Sequence, residues 1–434
     1  MEKSDVKKYK KTVVGIMYLA IFIFVMFLII SLKIYTFSGW SIIFLYSIFI
    51  TTFMFSRVIG SFLYKPYEKR GIAKGKLNLI KNYRPLVTFV VPCKNEDKSI
   101  YRTIASCVYV DYPREKIEVI AINDGSTDNT LNEMHRAKED FPNYDIKIIN
   151  FKKNKGKRHG MEYGFRHAGG EIIIQLDSDS FPLRNAVKEI IKPFVDKRVG
   201  ATVGHTDPDN PDVNILTRMQ NAYYFMSFRA LKATESLFDM VFCCSGCFAA
   251  YRKSYVLPVL DKWLDEKFLG KTVTFGDDRA LTNWIIRQGY KTIYVAEAKA
   301  TTIVPETLKV FLKQQVRWKK GWFINSIRIA PVVIKKDKFV AFTYFLPLIA
   351  LTLITPFIAF KALILNPLVF GISPTFYIVG IMLVAILMFM HYNFFDGGKY
   401  GKYMIAWGIL NMTLLSYVLV YALYDLRNMG WGTR

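Results

Sequence analysis

The sequence predicts a mostly parallel α/β domain inserted between transmembrane helices, with amphipathic helices at the membrane interface. Three observations carry that expectation. Between Arg84 and about Ala300, short β-rich runs alternate with amphipathic stretches. Runs of membrane length that lack any charged residue stand on both sides of this region. Two acidic motifs directly follow β-rich runs, at the strand ends where ligands sit in sheets of this kind.

The expected strands are Leu86 to Val91, Ile117 to Ile122, Ile146 to Asn150, Ile172 to Leu176 and Val199 to Val203, each rich in β-branched residues. Asp124 follows the second and Asp177 the fourth, so both acids belong at one crevice. Asn214 to Leu237 and Glu306 to Ile329 read as amphipathic helices whose aromatic and basic faces suit the membrane interface.

Before the domain, Thr12 to Leu32 and Ile34 to Ser56 are each long enough to cross a hydrocarbon core, which takes about 20 helical residues. They form a hairpin split at Lys33. A cleaved signal peptide is disfavoured, because the first run is too long, a second follows, and no small-residue cleavage site is evident. The basic start places the N-terminus in the cytoplasm, and two crossings return the chain there. After the domain come Phe339 to Phe360, a stretch from Ala362 to Phe395 broken by Pro367, Gly371 and Pro374, and Tyr403 to Tyr424. The expected units are thus an N-terminal hairpin (1–60), a cytosolic transferase domain (61–300), an interface helix (301–338), C-terminal membrane helices (339–425) and a tail (426–434).

The 434 residues are 52% hydrophobic, with a mean hydropathy of +0.19, which fits a mixed membrane and soluble protein. The net charge of +24 fits an anionic substrate and anionic lipid; no nucleic-acid module pattern is present, and no nucleic-acid partner is expected. Five cysteines fit a reducing compartment. Cys243, Cys244 and Cys247 lack a fourth ligand at zinc-like spacing and read as buried or pocket-lining thiols.

The motifs supply the parts for handling a nucleotide diphosphate. Asp177 and Asp179 can hold a divalent cation, which prefers oxygen ligands and bridges to phosphate oxygens. Asp124-Gly125-Ser126 reads as a nucleotide contact or as a plain turn leading into a helix. Lys155-Gly156-Lys157-Arg158 is either a diphosphate contact or a solvated basic loop. Asp278 is the candidate general base, and Asp277 beside it points elsewhere, to orient a helix start or the acceptor. Arg317 can pair with the departing phosphate through its fork of donors, and Trp318 offers a flat face for a sugar ring.

These residues resemble the processive, membrane-embedded glycosyltransferases of family 2, and among them the hyaluronan synthases of the shorter bacterial form. The likeness spans nearly the whole chain and rests on Asp-Gly-Ser at Asp124, Asp-Ser-Asp at Asp177, Gly-Asp-Asp-Arg at Gly276, Gln-x-x-Arg-Trp ending at Trp318, and the terminal Trp431-Gly432-Thr433-Arg434. The resemblance implies a GT-A-like domain in which Asp124 and Lys157 contact UDP and Asp179 binds Mn²⁺ or Mg²⁺ with Asp177 nearby. It implies further that Asp278 is the base, that Arg317 meets the diphosphate, that Trp318 stacks on the acceptor sugar, and that Cys244, Ser245 and Gly246 line the acceptor entrance. Trp431 and Arg434 would belong to a gating loop that closes over bound nucleotide. Such a loop lies on the cytosolic side, which makes Tyr403 to Tyr424 an interfacial or re-entrant helix and leaves four spans.

This sequence departs from the family pattern at three places. Cys247 and Phe248 replace Pro-Leu, Asn123 replaces the first acid of Asp-Asp-Gly-Ser, and Lys94 replaces Tyr. The expected activity is an inverting, metal-dependent transfer of GlcNAc and GlcA from UDP donors onto a growing chain, which the enzyme passes through the cell membrane in contact with lipid. The alternatives are a chitin-like polymer of GlcNAc alone and, from a different class, a non-catalytic scaffold or export channel.

Overall fold

The computed structural model describes residues 15–17, 19–21, 23–28, 30–31, 42–71, 75–395 and 398–430. At its centre is an eight-stranded mixed sheet, in the order β3-β2-β1-β4-β7-β6-β10-β5. Its strands are β1 (Val87–Cys93), β2 (Ile117–Asp124), β3 (Asp145–Phe151), β4 (Ile172–Gln175), β5 (Ser180–Pro182), β6 (Val199–Pro208), β7 (Ala249–Arg252) and β10 (Lys291–Thr302). A small hairpin of β8 (Lys267–Phe268) and β9 (Lys271–Thr272) stands apart.

Every residue of β1 and β2 is buried, as expected for strands covered on both faces. Alternate side chains serve opposite layers. Val87, Phe89 and Val91 pack with Ile100, Ile104 and Met134, whereas Val90, Ile120 and Ile122 pack with Met161, Phe165 and Leu281. The five expected strands are β1 to β4 and β6. They run parallel in the pairs β1–β2, β1–β4 and β2–β3. Antiparallel β7, between β4 and β6, was not expected. Its sequence Ala-Ala-Tyr-Arg has no β-branched residue, and burial between two neighbours, rather than intrinsic preference, makes it a strand.

Both expected helices are present. One runs as Ile215–Met226, a wider turn Ser227–Lys232, and Ala233–Leu237; the other is Leu308–Lys336. The latter crosses the helix Asp277–Arg287 with backbones in contact, because a Cβ on Gly321 would lie 3.0 Å from the Gly276 Cα. Asn283 Nδ2 donates to the Asn325 carbonyl at 3.0 Å along the same seam.

Among the described residues three helices are long and apolar enough to cross a membrane: Lys338–Phe370, Tyr377–Phe395 and Tyr403–Arg427. The first continues through Lys361, where the sequence was divided, and ends at Gly371, whose φ of +61° provides the left-handed stop. Of the N-terminal hairpin, Ile42–Leu63 is helical, and the turn at Lys33 lies outside the described residues.

Both ends of Tyr403–Arg427 meet the soluble domain. At one end Lys399 pairs with Asp212 at 2.7 Å, and Arg218 donates to the Tyr403 hydroxyl at 3.2 Å. At the other, Lys320 pairs with Asp425, and Thr274 donates to the Met429 carbonyl. Between them Trp407 stacks on Tyr223, with ring centroids 4.3 Å apart.

The Gly276–Gly321 seam has no room for a side chain. Gly321→Val is therefore expected to cost ~1–3 kcal/mol and lower the thermal midpoint of the detergent-solubilised protein. Gly380→Val, at a position with nothing within 4 Å, is expected to leave the midpoint in place.

Candidate active site

The site is built where the parallel strands end. Asp124 closes β2, and its carboxylate accepts the backbone N–H groups of Lys155 at 2.7 Å and Gly156 at 2.9 Å. Gly125 has a φ of +65°, and a Cβ there would come within 2.6 Å of the Asn154 nitrogen. Asp124-Gly125 thus grips the loop that leads into the helix Lys157–His167.

The first two residues of that helix carry cations to two separate acidic motifs. Lys157 Nζ lies 2.5 Å from Asp177 Oδ1, and Arg158 Nε lies 2.6 Å from Asp277 Oδ1. Burial pulls the Lys157 ammonium down, but Asp177, Asp277 and Asp278 outweigh it and hold Lys157 above the usual lysine range. Arg158 also donates to the Trp263 carbonyl at 2.8 Å. Asp277 is therefore a buried partner of Arg158.

Asp278, one residue on, faces the crevice. Its Oδ2 accepts the Gly246 N–H at 3.2 Å and lies 3.6 Å from Cys243 Sγ, while its Oδ1 accepts the Arg279 N–H at 2.8 Å. Gly246 also abuts Asp177: a Cβ on it would lie 2.9 Å from Asp177 Oδ1 and 2.7 Å from Gln175 Nε2. The antiparallel pairing of β4 with β7 makes this approach, because Gln175 stands opposite Ala249, three residues beyond Gly246. Asp177, Asp278, Gly246 and Lys157 are therefore linked through direct contacts.

Asp179 is buried next to the end of β10, where Thr302 Oγ1 lies 3.3 Å from its Oδ1. Burial, followed by the charges of Asp177 and Asp179, keeps the Cys247 thiol well above its ordinary range, so Cys247 stands among the same acids. Tyr224 is raised by burial and by Cys247, Tyr223, Asp179 and Asp177, and its ring lies 6.5 Å from that of Trp318. Trp318 is thus joined to the acidic crevice through Tyr224. Arg317 is half-buried on the preceding helical position.

One expected site residue is placed elsewhere. Cys244 has no exposed surface, packs in the apolar cluster with Tyr251 and Leu281, and gives its N–H to Thr282 Oγ1 at 2.9 Å. Its thiol belongs to the core, because the strand-to-loop alternation that turns Cys243 and Ser245 outward turns Cys244 in. Trp431 and Arg434 lie outside the described residues. Sequence reasoning did not single out Tyr224; it read Cys243 only as a buried or pocket-lining thiol, and Arg158 only as part of a loop that is a diphosphate contact or a solvated basic face. The signal for Arg158 was the doubled acid of Gly276-Asp277-Asp278, which needs a second cation once one carboxylate is buried.

The donor chemistry suits a hard divalent cation, since Asp177 and Asp179 offer carboxylate oxygens. Among the described residues no group of three His, Cys, Asp or Glu side chains is placed to hold a metal ion.

A twisted α/β sheet with carboxylates and a lysine at its strand ends, next to membrane helices, defines a glycosyltransferase of the GT-A type. The model of glycosyl transferase family 2 matches residues 88–257. The fold is shared by a mannosyltransferase from Pyrobaculum calidifontis solved with GDP-Man and Mn²⁺, at a TM-score of 0.53 and 19% identity, covering 85% of this chain and 99% of that one. The hyaluronan synthase of Streptococcus pyogenes serotype M1 is 31% identical over 98% of both chains. An N-acetylglucosaminyltransferase of Neorhizobium galegae is 30% identical over 59% of each. The chain belongs to the hyaluronan synthase family, and it is a membrane protein.

Burial and the neighbouring Asp278 push the Cys243 thiol up to about 11. A thiol raised in this way stays neutral below that pH and gains reactivity as pH rises through it. Alkylation of Cys243 by iodoacetamide at pH 8 is expected to run about 100-fold slower than that of an ordinary thiol, as followed by mass spectrometry. Asp278→Asn should accelerate it; unchanged labelling would show that the two groups do not interact.

Proposed function

We propose that this chain is a processive, inverting synthase that polymerises UDP-GlcNAc and UDP-GlcA into hyaluronan and moves the product across the membrane. The observation that carries the reading is Gly246, which touches both Asp177 and Asp278 and so joins the donor side of the crevice to the base.

In this reading the donor's diphosphate lies against Lys157, with Asp124 fixing the loop that presents it, and Arg317 offers its fork of donors to the departing phosphate. The acceptor sugar rests on Trp318 with its hydroxyl near Asp278, in an entrance bounded by Ser245 and Gly246. Asp278 takes the hydroxyl proton as the oxygen attacks the anomeric carbon, the bond from that carbon to the diphosphate oxygen breaks, and UDP leaves. One attack from the opposite face inverts the anomeric centre. Asp179, beside Asp177, would hold Mn²⁺ or Mg²⁺, which when bound neutralises charge on the leaving diphosphate. Trp431 and Arg434 would close over the nucleotide from the tail.

The transferase domain is assigned to the cytoplasm, with four spans and Tyr403 to Tyr424 as an interfacial helix. Supporting this, both ends of that helix bond to the soluble domain. Labelling of a cysteine engineered in the tail by an impermeant reagent outside intact cells would contradict the placement.

Asp278→Asn is expected to lower polymer formation by ~10²- to 10⁴-fold while UDP-sugar binding persists. Turnover at the parent rate would remove Asp278 from the role of base. A second reading, a polymer of GlcNAc alone, draws on the N-acetylglucosaminyltransferase relatives and on Cys247 beside Gly246. Purified protein is expected to make polymer only when both UDP-sugars are supplied, and that product should be degraded by a hyaluronan-specific lyase. Product from UDP-GlcNAc alone would favour the second reading.

A further inference from the structure

Gln175 closes β4, two residues before Asp177, and its side chain has no exposed surface. Among the described residues neither the Oε1 nor the Nε2 of its amide has a hydrogen-bond partner. The sheet does not call for an amide there, since Ile172, Ile173 and Ile174 fill the three preceding positions of the same strand, all buried. A buried amide left unpaired at both ends destabilises a protein relative to an aliphatic side chain of the same shape.

The surroundings of Gln175 name its partner. A Cβ on Gly246 would lie 2.7 Å from Gln175 Nε2, 2.9 Å from Asp177 Oδ1 and 3.4 Å from Asp177 Oδ2, so the amide and the carboxylate flank one backbone point. Gly246 is held at that point from both sides. Its N–H donates to Asp278 Oδ2 at 3.2 Å, and the Phe248 N–H donates to the Ser245 carbonyl at 3.2 Å, closing the turn around it. The carboxylate is meanwhile engaged by Lys157 Nζ, at 2.5 Å from Oδ1, which is the ion pair of Asp177 among the described residues.

On the reading of the crevice as a nucleotide-diphosphate site, the diphosphate and Asp177 compete for one ammonium. A Lys157 that turns to the diphosphate leaves Asp177 without its cation. Asp179 and Asp278 stand around the same Cys247 as Asp177, so like charge then surrounds a carboxylate that has lost its partner. We propose that Gln175 is a positioning residue for Asp177: once a nucleoside diphosphate draws Lys157 away, the Gln175 amide donates to the Asp177 carboxylate in place of the ammonium. The Lys157–Asp177 and Gln175–Asp177 contacts are thus alternatives, the first without nucleotide and the second with it. Methionine at position 175 has a similar length and no donor, so it suits the first state and fails the second.

The test compares the parent chain with Gln175→Met, both solubilised in detergent and kept in Mn²⁺, with and without UDP. Without UDP the variant is expected to melt at or above the parent's midpoint, because the substitution removes an unpaired buried amide. Its UDP affinity by calorimetric titration is expected to fall at least about tenfold, the loss of one hydrogen bond to a charged group. A residue with a merely structural role would not move these two readouts in opposite directions. Equal UDP affinity in parent and variant would overturn the proposal. So would a midpoint lowered by the substitution without UDP, or a variant that does not fold, since the amide would then be paired before nucleotide arrives. A parent chain that does not bind UDP would count against the crevice as a nucleotide site, and this proposal would fall with that reading.

Discussion

The crevice depends on two consecutive cations at the start of one helix. Asp177, Asp179, Asp277 and Asp278 converge from two distant parts of the chain, and carboxylates brought together out of water repel one another unless paired. Consecutive residues on a helix point about 100° apart, so Lys157 reaches the acid beyond β4 while Arg158 reaches the one that opens Asp277–Arg287. The helix N-terminus adds its own positive end to the same space. Gly156, at φ +93°, lets the loop enter that helix with its N–H turned to Asp124. A single turn thereby sets the relative positions of β2, β4 and the helix that bears Asp278.

This arrangement explains why adjacent acids have separate duties. Asp277 is buried against Arg158, with a Trp263 ring under the guanidinium at 5.1 Å, and it fixes where its helix begins. Asp278 is thereby turned outward, where Gly246 and Arg279 give it N–H groups and Cys243 gives it a neutral neighbour. The Asp277–Arg158 pair thus positions Asp278.

Much of this was legible from local pattern. β1, β2 and β4 are apolar runs ended by polar residues, and burial on both faces follows directly from them. The acids at their ends could be placed at one crevice because parallel strands end on one side. Arg158 was less legible, since a Lys-Gly-Lys-Arg loop carries the same letters whether it is solvated or buried beneath a second acidic motif. β7 was hidden because burial between β4 and β6, a long-range condition, outweighs the weak preference of Ala-Ala-Tyr-Arg. The inward turn of Cys244 was equally out of reach, since it depends on how Ser245-Gly246 approaches Asp177. Lys361 divided two apolar runs on paper, yet a lone lysine does not stop a helix, and the glycine ten residues later does.

The last helix couples the membrane part to the chemistry. Lys320 and Gly321 are neighbours on one helix: Lys320 holds Asp425, and Gly321 lies against Gly276, just before the acid pair. Met429 then packs on Val273 and Phe275 and takes the Thr274 hydroxyl, so it lies on the loop that precedes Asp277. A cavity of about 280 Å³ at this point is lined by Lys155, Lys157, Thr274, Met429 and Gly430. The loop that carries the lysine and the end of the last apolar helix are thus two lips of one opening. A shift of that helix along its axis must move Asp425 and Met429 together, and with them the opening beside Lys157. The seating of the last helix and the shape of that opening are therefore set by the same contacts.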